Sequence, residues 1–275
     1  MARWTPERRK RAFVKAGFSV YYALFLVFIY GPMIAMFVLS FQGRRGGTSL
    51  PMRGVSLHWY EQLLSGRGVG DLQGSLLRSL ILAVIVMVIT ALFSTMLAMA
   101  FRKRFYGSTA LFYTVMSGLM VPGVLLSLGL ATVMRQFGIP PNWYTSALGV
   151  HVVWTLPFGF LVMMAVFNRF DSRLEEAARD MGADEWTVFK EITLPLITPG
   201  IVAAGLFGFT LSYDEFARTT LLAGQFNTLP LDINASMTQR IRPTLFALGT
   251  ASTVFSLLMI SVFLVIYTAL TRRFR

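Results

Sequence analysis

The sequence predicts an all-α integral membrane protein with six transmembrane helices. Hydrophobic residues make up 55% of its 275 residues and charged residues only 14%, and the mean hydropathy is +0.61. A membrane helix needs about 20 consecutive apolar residues, and lipid offers no water to open backbone groups. Six segments that lack Asp, Glu, Lys and Arg are each long enough to hold one helix: Ala16–Gly43, Ser79–Phe101, Phe105–Met134, Gln136–Asn168, Ile192–Tyr213 and Pro243–Thr271.

The amino-terminal residues 1–15 are predicted to form a frayed basic tail, and residues 16–275 to form the transmembrane domain. A secretory signal is the alternative, because the basic cluster Arg8–Arg11 precedes an apolar segment. That segment, Ala16–Gly43, exceeds the apolar core of about 7–15 residues in a signal peptide. We therefore interpret it as an uncleaved first span.

The basic residues predict the orientation of the spans. With the amino terminus in the cytoplasm, six spans place 16 of the 25 Lys and Arg residues on the cytoplasmic side, as the positive-inside rule requires. Both termini and the loops at Lys103 and Gly182 are then cytoplasmic, and the loops at Arg53, Trp143 and Gln225 lie outside. Most of the net charge of +12 follows from this topology, so nucleic-acid binding is not predicted.

The segment after the first span and the prolines within the spans predict a short helix and several helix bends. Leu57, Tyr60 and Leu64 share a helical face, which predicts a short interfacial helix after the first span. The first, third and fourth spans contain Pro32, Pro122 and Pro157 respectively, and proline bends or breaks a helix. These bends either surround a pathway or serve packing.

A charged insert, residues 169–191, separates the fourth and fifth apolar segments and contains 11 charged residues among 23. Ser172 and Glu175 have the spacing of a capping box, which predicts a helix start. Glu175 and Arg179 are spaced for an ion pair on that helix. An apolar stripe is predicted at Leu174, Ala177, Ala178 and Met181.

The second half of the insert predicts another short helix. Gly182 can end the first helix in a left-handed conformation, and Asp184 can cap a helix that carries Trp186 and Phe189. The Pro195–Gly200 stretch is predicted to separate this helix from the fifth span. By composition alone, a solvated amphipathic linker remains the alternative.

The insert also carries the pattern E-A-A-x3-G-x9-I-x-L-P, at Glu176–Ala178, Gly182, Ile192 and Leu194–Pro195. It resembles the cytoplasmic loop of membrane subunits of binding-protein-dependent ABC importers. The resemblance implies a type I importer permease fold in which residues 169–195 form a coupling loop that inserts into the ATPase. It assigns this contact to Glu175, Glu176, Ala177, Ala178, Gly182, Trp186, Phe189, Leu194 and Pro195.

The resemblance also implies the surrounding assembly. In a bacterial inner membrane, such a subunit joins a second homologous permease subunit, two copies of an ATP-binding subunit and a substrate-binding protein. This chain has no phosphate-binding G-x-x-x-x-G-K-[ST] motif, so ATP and Mg are expected on the ATPase, and no enzymatic activity is predicted. A self-sufficient secondary transporter or channel is the alternative, although the spans are nearly free of coupling charges.

No catalytic, cofactor or metal site is predicted in the chain. It contains no cysteine and only two histidines, His58 and His151, which lie in different elements without a zinc motif. His151 is interpreted as a packed, hydrogen-bonded side chain.

A second resemblance concerns the end of the fifth span, where Tyr213, Asp214 and Glu215 follow one another, and the Asn227–Leu231 loop that follows. The region is similar to the second membrane subunit of spermidine/putrescine permeases, which implies a polyamine substrate. Tyr213, Asp214 and Glu215 are the candidate substrate contacts, since a carboxylate and an aromatic face suit an ammonium group. The alternative is a structural ion pair with Arg218.

Two further sets of residues have predicted roles. A neutral or anionic substrate would instead favour Arg218, Arg240 and Arg242. A stripe of small residues on the fifth span is expected to let another helix approach closely, either within this subunit or from a partner subunit: Gly200, Ala204, Gly208 and Ser212.

Overall fold

The computed structural model describes residues 6–65, 71–239 and 242–273. The helices in these ranges are α1 (Pro6–Leu39), α2 (His58–Leu64), α3 (Leu72–Ala100), α4 (Ser108–Met120), α5 (Gly123–Gln136), α6 (Leu148–Phe167), α7 (Arg173–Asp180), α8 (Glu185–Val188), α9 (Leu194–Tyr213), α10 (Leu229–Gln239) and α11 (Pro243–Arg273). Two π-helical turns, Trp143–Ala147 and Phe189–Thr193, precede α6 and α9. The predicted all-α class is confirmed.

Within the described residues, five helical stretches are long and apolar enough to cross a membrane: Lys10–Leu39, Leu72–Ala100, Trp143–Phe167, Glu185–Tyr213 and Pro243–Val265. The third apolar segment, Phe105–Met134, is not one straight helix, because α4 and α5 meet there at 104°. The break lies at Pro122, the proline predicted to bend or break this span. Val121 is extended and Pro122 has no N–H to continue the helix. Counted as one bent span, this pair brings the number to six.

One compact unit comprises residues 1–69 and 236–254. Its α1 already begins at Pro6, so the prediction of a frayed tail is wrong for residues 6–15. Proline suits the first turn of a helix, where its missing N–H would have no partner. The first five residues of the tail, with Arg3, lie outside the described residues.

The same unit confirms the predicted short helix, which is α2. The buried Gln42 organises the chain before it: its Oε1 accepts a hydrogen bond from Arg53 N at 2.7 Å. The Trp59 indole donates to the Gln42 carbonyl, and the Tyr60 hydroxyl donates to Ser40 Oγ, each at 2.7 Å. These bonds hold α2 against the end of α1.

The second unit comprises residues 70–235 and 255–275, and α3, α6 and α9 pack together at its centre. The small-residue stripe of α9 is buried in this packing. A Cβ added at Gly208 would lie 2.9 Å from Thr90 Cβ of α3, and one at Gly200 would lie 2.6 Å from a Val166 methyl group of α6. The stripe therefore contacts helices of its own subunit in this structure.

The predicted separation between the second short helix and the fifth span is wrong. Residues Glu185–Tyr213 run as one helical stretch through the Phe189–Thr193 π-turn. Pro195 lies in the first turn of α9, directly after this change of hydrogen-bond register, where a missing N–H is tolerated. The second half of the charged insert and the fifth span are thus continuous.

Candidate functional sites at the two ends of α9

Helix α9 connects two groups of charged side chains. It has 20 residues, so its ends lie about 30 Å apart at 1.5 Å per residue. The charged insert adjoins its amino-terminal end, and residues 214–228, which we name the post-α9 segment, follow its carboxyl-terminal end. All of these residues belong to the second unit.

A buried ion pair fixes the charged insert to α3. Both Arg102 terminal nitrogens donate to the Glu175 carboxylate, at 2.9 and 2.7 Å. The Thr193 hydroxyl donates to Glu175 Oε1 at 2.5 Å. The Arg102 hydrogen bond lowers the pKa of the Glu175 carboxyl below its ordinary value. This Arg102–Glu175–Thr193 clamp joins the end of α3, the short helix α7 and the π-turn before α9.

The clamp replaces the predicted Glu175–Arg179 pair, which is wrong. Arg179 instead forms two hydrogen bonds with the Glu185 carboxylate, at 2.7 and 3.1 Å. Arg102 is also covered by aromatic rings, with its guanidinium carbon 5.3 Å from the Phe167 ring centroid and 4.9 Å from that of Phe170. Cation–π contacts of this kind hold the guanidinium in place.

The turn between α7 and α8 agrees with its predicted chemistry. Gly182 has φ +90°, and a Cβ there would meet nothing within 4 Å, so the backbone conformation alone requires glycine. The Asp184 side chain accepts a hydrogen bond from Thr187 N at 3.2 Å and caps α8. Both local predictions are confirmed.

The start of α7 differs from the prediction. Ser172 already has helical dihedrals and makes no capping hydrogen bond, so the predicted capping box is wrong. Asp171 Oδ1 accepts from Arg173 N at 3.0 Å instead. The predicted apolar stripe is also wrong, because α7 buries Glu175 and Ala178 while Leu174 and Met181 are exposed. The clamp, rather than apolar periodicity, sets the buried face of this helix.

The remaining residues assigned to the coupling loop divide into exposed and half-buried groups. Glu176 and Ala177 are exposed, and Trp186 is 67% exposed, with its ring 5.8 Å from that of Phe189. Phe189, Leu194 and Pro195 are half-buried. The loop thus presents Leu174, Met181 and Trp186 as exposed apolar side chains. This is the surface that a docking partner would cover.

A cleft of about 670 Å³ opens beside the clamp, between the end of α3 and the insert. Side chains of both signs line it, including Arg102, Lys103, Glu176, Arg179 and Glu185. The Arg102 side chain is 25% exposed, so the clamp is covered by protein on one side and is close to solvent on the other.

At the other end of α9, the post-α9 segment folds into the second unit. His151 connects the end of α9 to this segment. Its Nδ1 lies 2.8 Å from Ser212 Oγ, and its Nε2 lies 2.8 Å from Thr219 Oγ1. This confirms the interpretation of His151 as a packed, hydrogen-bonded residue. Thr219 and Leu222 are fully buried.

Further polar side chains hold the same segment. Ser127 and Ser146 donate to the carbonyls of Arg218 and Leu222, and Arg78 Nε donates to the Asn227 carbonyl. The predicted loop over Asn227–Leu231 is wrong in its second half, because α10 begins at Leu229. Pro230 lies in the first turn of this helix, where a missing N–H is tolerated.

The three candidate substrate contacts have different environments. Tyr213 is buried, with its ring stacked on Phe209 at 6.1 Å. Glu215 is buried and pairs with Arg218, with 3.0 Å between Oε2 and the guanidinium. The side chain of Asp214 is exposed and makes no hydrogen bond or ion pair with the residues that the structure describes. The alternative of a Glu215–Arg218 ion pair is therefore confirmed, and Asp214 is the free carboxylate. Arg240 lies outside the described residues.

Comparison with known proteins assigns the chain to a family. Residues 90–275 match the family described as the binding-protein-dependent transport system inner membrane component. The chain belongs to this family. The permease is thus a multi-pass inner-membrane subunit of an ABC importer, as the E-A-A pattern implied.

Relatives cover most of the permease. It is 30% identical over 235 residues to the spermidine/putrescine transport system permease protein PotC of Haemophilus influenzae, which covers 85% of this chain and 89% of PotC. It is 28% identical over 232 residues to the putrescine transport system permease protein PotI of Escherichia coli, covering 81% and 80% of the two chains.

A solved structure confirms the fold. The permease superposes with a TM-score of 0.69 on a chain of a bacterial ABC transporter involved in the import of the acidic polysaccharide alginate. The two chains are 16% identical over 95% of the permease and 98% of that chain. The importer permease fold predicted from the charged insert is confirmed.

Several long-range contacts inside the permease were not predicted from the sequence. Sequence reasoning used Arg102 only as a marker of topology and missed its bond to Glu175, because no local pattern connects residues 73 positions apart. It likewise missed the polar side chains that fix the post-α9 segment. Of these residues, only Arg218 was recognisable from the sequence as an ion-pair partner, because it lies close to two carboxylates along the chain.

Proposed function

We propose that this permease couples ATP hydrolysis by a separate ATP-binding subunit to the import of a small organic polycation of the polyamine class. The observation that carries the coupling role is the Arg102–Glu175–Thr193 clamp. It joins the insert to α3 and, through the π-turn, to α9. A displacement of the insert is therefore passed directly to two transmembrane helices.

The insert has the surface that a coupling element requires. Its exposed apolar side chains can enter a groove on the ATPase, and its charged rim, including Glu176, can pair with basic groups there. The Arg179–Glu185 pair fixes α7 against α8 across Gly182. The docked surface would then move as a single body.

The assembly follows from this role. The permease pairs with a second homologous permease subunit, two copies of the ATPase and a substrate-binding protein. ATP and Mg are held by the ATPase, and the permease itself performs no catalysis. Both termini and the loops at Lys103 and Gly182 are cytoplasmic, and the loops at Arg53, Trp143 and Gln225 face outside.

The polyamine class is supported by two independent observations. PotC and PotI are named for spermidine and putrescine transport. Asp214, at the end of α9, is an exposed carboxylate that does not pair with Arg218. An exposed carboxylate at the end of a membrane helix is suited to receive a cation.

Transport by the reconstituted importer tests the proposal. The permease would be assembled in proteoliposomes with its partner permease, ATPase and binding protein, and ATP-dependent uptake of labelled putrescine would be measured. The neutral analogue 1,4-butanediol is the matched control. Putrescine uptake that stops without ATP is the expected result. Uptake without the ATPase would favour the alternative of a secondary transporter, and uptake of a neutral or anionic solute instead would reject the polyamine class.

A further inference from the structure

The guanidinium of Arg218 fills a small cation site. It lies 3.0 Å from Glu215 Oε2 and its carbon lies 3.6 Å from the centroid of the Trp154 ring. The second carboxylate oxygen, Oε1, accepts a hydrogen bond from Arg218 N at 2.9 Å. The Arg218 and Glu215 side chains are only 10% and 9% exposed. A carboxylate and an indole face thus enclose one positive charge.

This set of groups is not specific to arginine. A carboxylate attracts any cation, and the face of an indole attracts an alkylammonium group as well as a guanidinium. Within the described part of the chain, Arg218 Nε has no hydrogen-bond partner although it is buried. The site therefore satisfies the charge of Arg218 but not all of its donors, which lowers the free energy needed to replace it.

A second carboxylate is available for the displaced guanidinium. Asp214 lies four residues before Arg218, is exposed, and has no ion-pair partner in the ranges that the structure describes. Only three residues of the post-α9 segment separate Asp214 from Arg218, so this carboxylate is a short stretch of chain away from the guanidinium. If Arg218 moves to Asp214, Glu215 is free to pair with an incoming ammonium. After the exchange each of the two cations, the guanidinium and the ammonium, is paired with one carboxylate.

The exchange would also loosen the break between α4 and α5. The Arg218 stem packs against the start of α5, where a Cβ at Gly123 would lie 2.8 Å from Arg218 Cγ. The Ser127 hydroxyl of α5 donates to the Arg218 carbonyl at 2.5 Å. Movement of this side chain changes the packing at the point where the bent pair of helices turns by 104°.

We propose that Arg218 is a tethered occupant of a cation site formed by Glu215 and Trp154, from which an alkylammonium group of the substrate displaces it towards Asp214. This inference rests on the proposed import of an amine. It makes Arg218 a specificity-determining residue, because a neutral solute cannot replace the guanidinium on Glu215. It also assigns different roles to the neighbouring carboxylates, since Glu215 receives the ammonium and Asp214 receives the arginine.

Binding of labelled putrescine to the purified importer without its binding protein tests the exchange. Arg218→Met removes the tethered cation and keeps a stem of similar length, so putrescine should bind at least about tenfold more tightly than to the unmodified importer. Arg218→Met combined with Glu215→Gln should lose this gain. 1,4-Butanediol should not compete. No gain in a well-assembled Arg218→Met importer would overturn the proposal.

A lysine variant covers the case in which Arg218→Met does not assemble. Lysine keeps the charge on Glu215 but cannot stack a planar group on Trp154. Putrescine should displace it more readily, so binding to Arg218→Lys should be tighter than to the unmodified importer. Equal or weaker binding in an assembled Arg218→Lys importer would contradict the exchange.

A mutant cycle tests the role of Asp214. Asp214→Asn should lower putrescine uptake by about tenfold when Arg218 is present, and it should have little further effect in Arg218→Met. Equal losses in both backgrounds would reject Asp214 as the acceptor of the arginine. The proposed function is judged separately, by uptake in the unmodified importer with its binding protein. An importer that takes up no amine but gains putrescine binding in Arg218→Met would keep the cation site and reject only the polyamine substrate.

Discussion

Arg102 and Glu175 form a bidentate ion pair across 73 residues of sequence, between the end of α3 and the charged insert. Thr193 completes the clamp from the π-turn that leads into α9. The charged insert is therefore tied to two transmembrane helices. In this respect it differs from a solvated linker, which would be free to move independently of the spans.

Glu175→Gln should uncouple the importer. The change removes the charge that holds Arg102, and charged hydrogen bonds of this kind contribute about 1.5–3 kcal/mol. We expect the importer to assemble and hydrolyse ATP while substrate uptake falls about tenfold, within the range of typical coupling free energies. Uptake and ATPase activity would be measured on the same proteoliposomes. Glu191 is an exposed carboxylate of the same loop. Glu191→Gln is therefore the matched control and should leave uptake unchanged.

The clamp should weaken only at acidic pH. Because Arg102 lowers the pKa of Glu175 in the folded protein, the ionised carboxylate stabilises the fold. This contribution is complete above the ordinary glutamate pKa of about 4.3. It declines below that value and is lost as the pH falls through the lower folded pKa.

Thermal unfolding of purified permease and Glu175→Gln would check this dependence. The difference in melting temperature should be constant from pH 8 down to about 5 and should shrink below about 4. A difference that grows on acidification would contradict the assignment of Glu175 as an ionised partner of Arg102.

Gly182→Ala should impair transport through the backbone alone. Gly182 has φ +90° and open space around its Cα, so an added methyl meets no neighbour but forces a conformation that costs about 1–2 kcal/mol. We expect reduced uptake in a correctly inserted protein. Gly129→Ala also adds a methyl in open space, but within helix α5, and should leave uptake unchanged. Equal effects of the two substitutions would indicate that the turn conformation is not required.

Gly208→Ala should destabilise the packing of α9 on α3. A Cβ at Gly208 would lie 2.9 Å from Thr90 Cβ, so the helices must separate, and overpacking costs about 1–3 kcal/mol. The melting temperature of the purified permease should fall. Gly149→Ala, at an exposed position of α6 with nothing within 4 Å, is the control. An unchanged melting temperature for Gly208→Ala would argue against the close approach.

The parts of the fold that the sequence predicted depend on local chemistry. Apolar segment length predicted the spans because the bilayer sets a minimum helix length. Gly182 and Asp184 were predicted correctly because a left-handed turn and a helix cap each involve only a few neighbouring residues. The E-A-A pattern indicated the importer family for the same reason, since its spacing lies within one stretch of chain.

The parts that the sequence did not predict depend on residues far apart in the chain. Glu175 has a neighbouring partner in Arg179 at helical spacing, yet it bonds to Arg102 because burial favours a bidentate contact shielded by aromatic rings. The different environments of Asp214 and Glu215 follow from how the post-α9 segment folds around His151 and Ser127. No local pattern distinguishes two adjacent carboxylates.

Chemical labelling of the coupling loop tests the central claim most directly. Met181 is 84% exposed on the loop, and the chain contains no cysteine, so Met181→Cys introduces a single thiol. A membrane-impermeant maleimide should label it only from the cytoplasmic side, and assembly with the ATPase should protect it. Labelling from the outside, or labelling that the ATPase leaves unchanged, would contradict the role of residues 169–195 as the coupling loop.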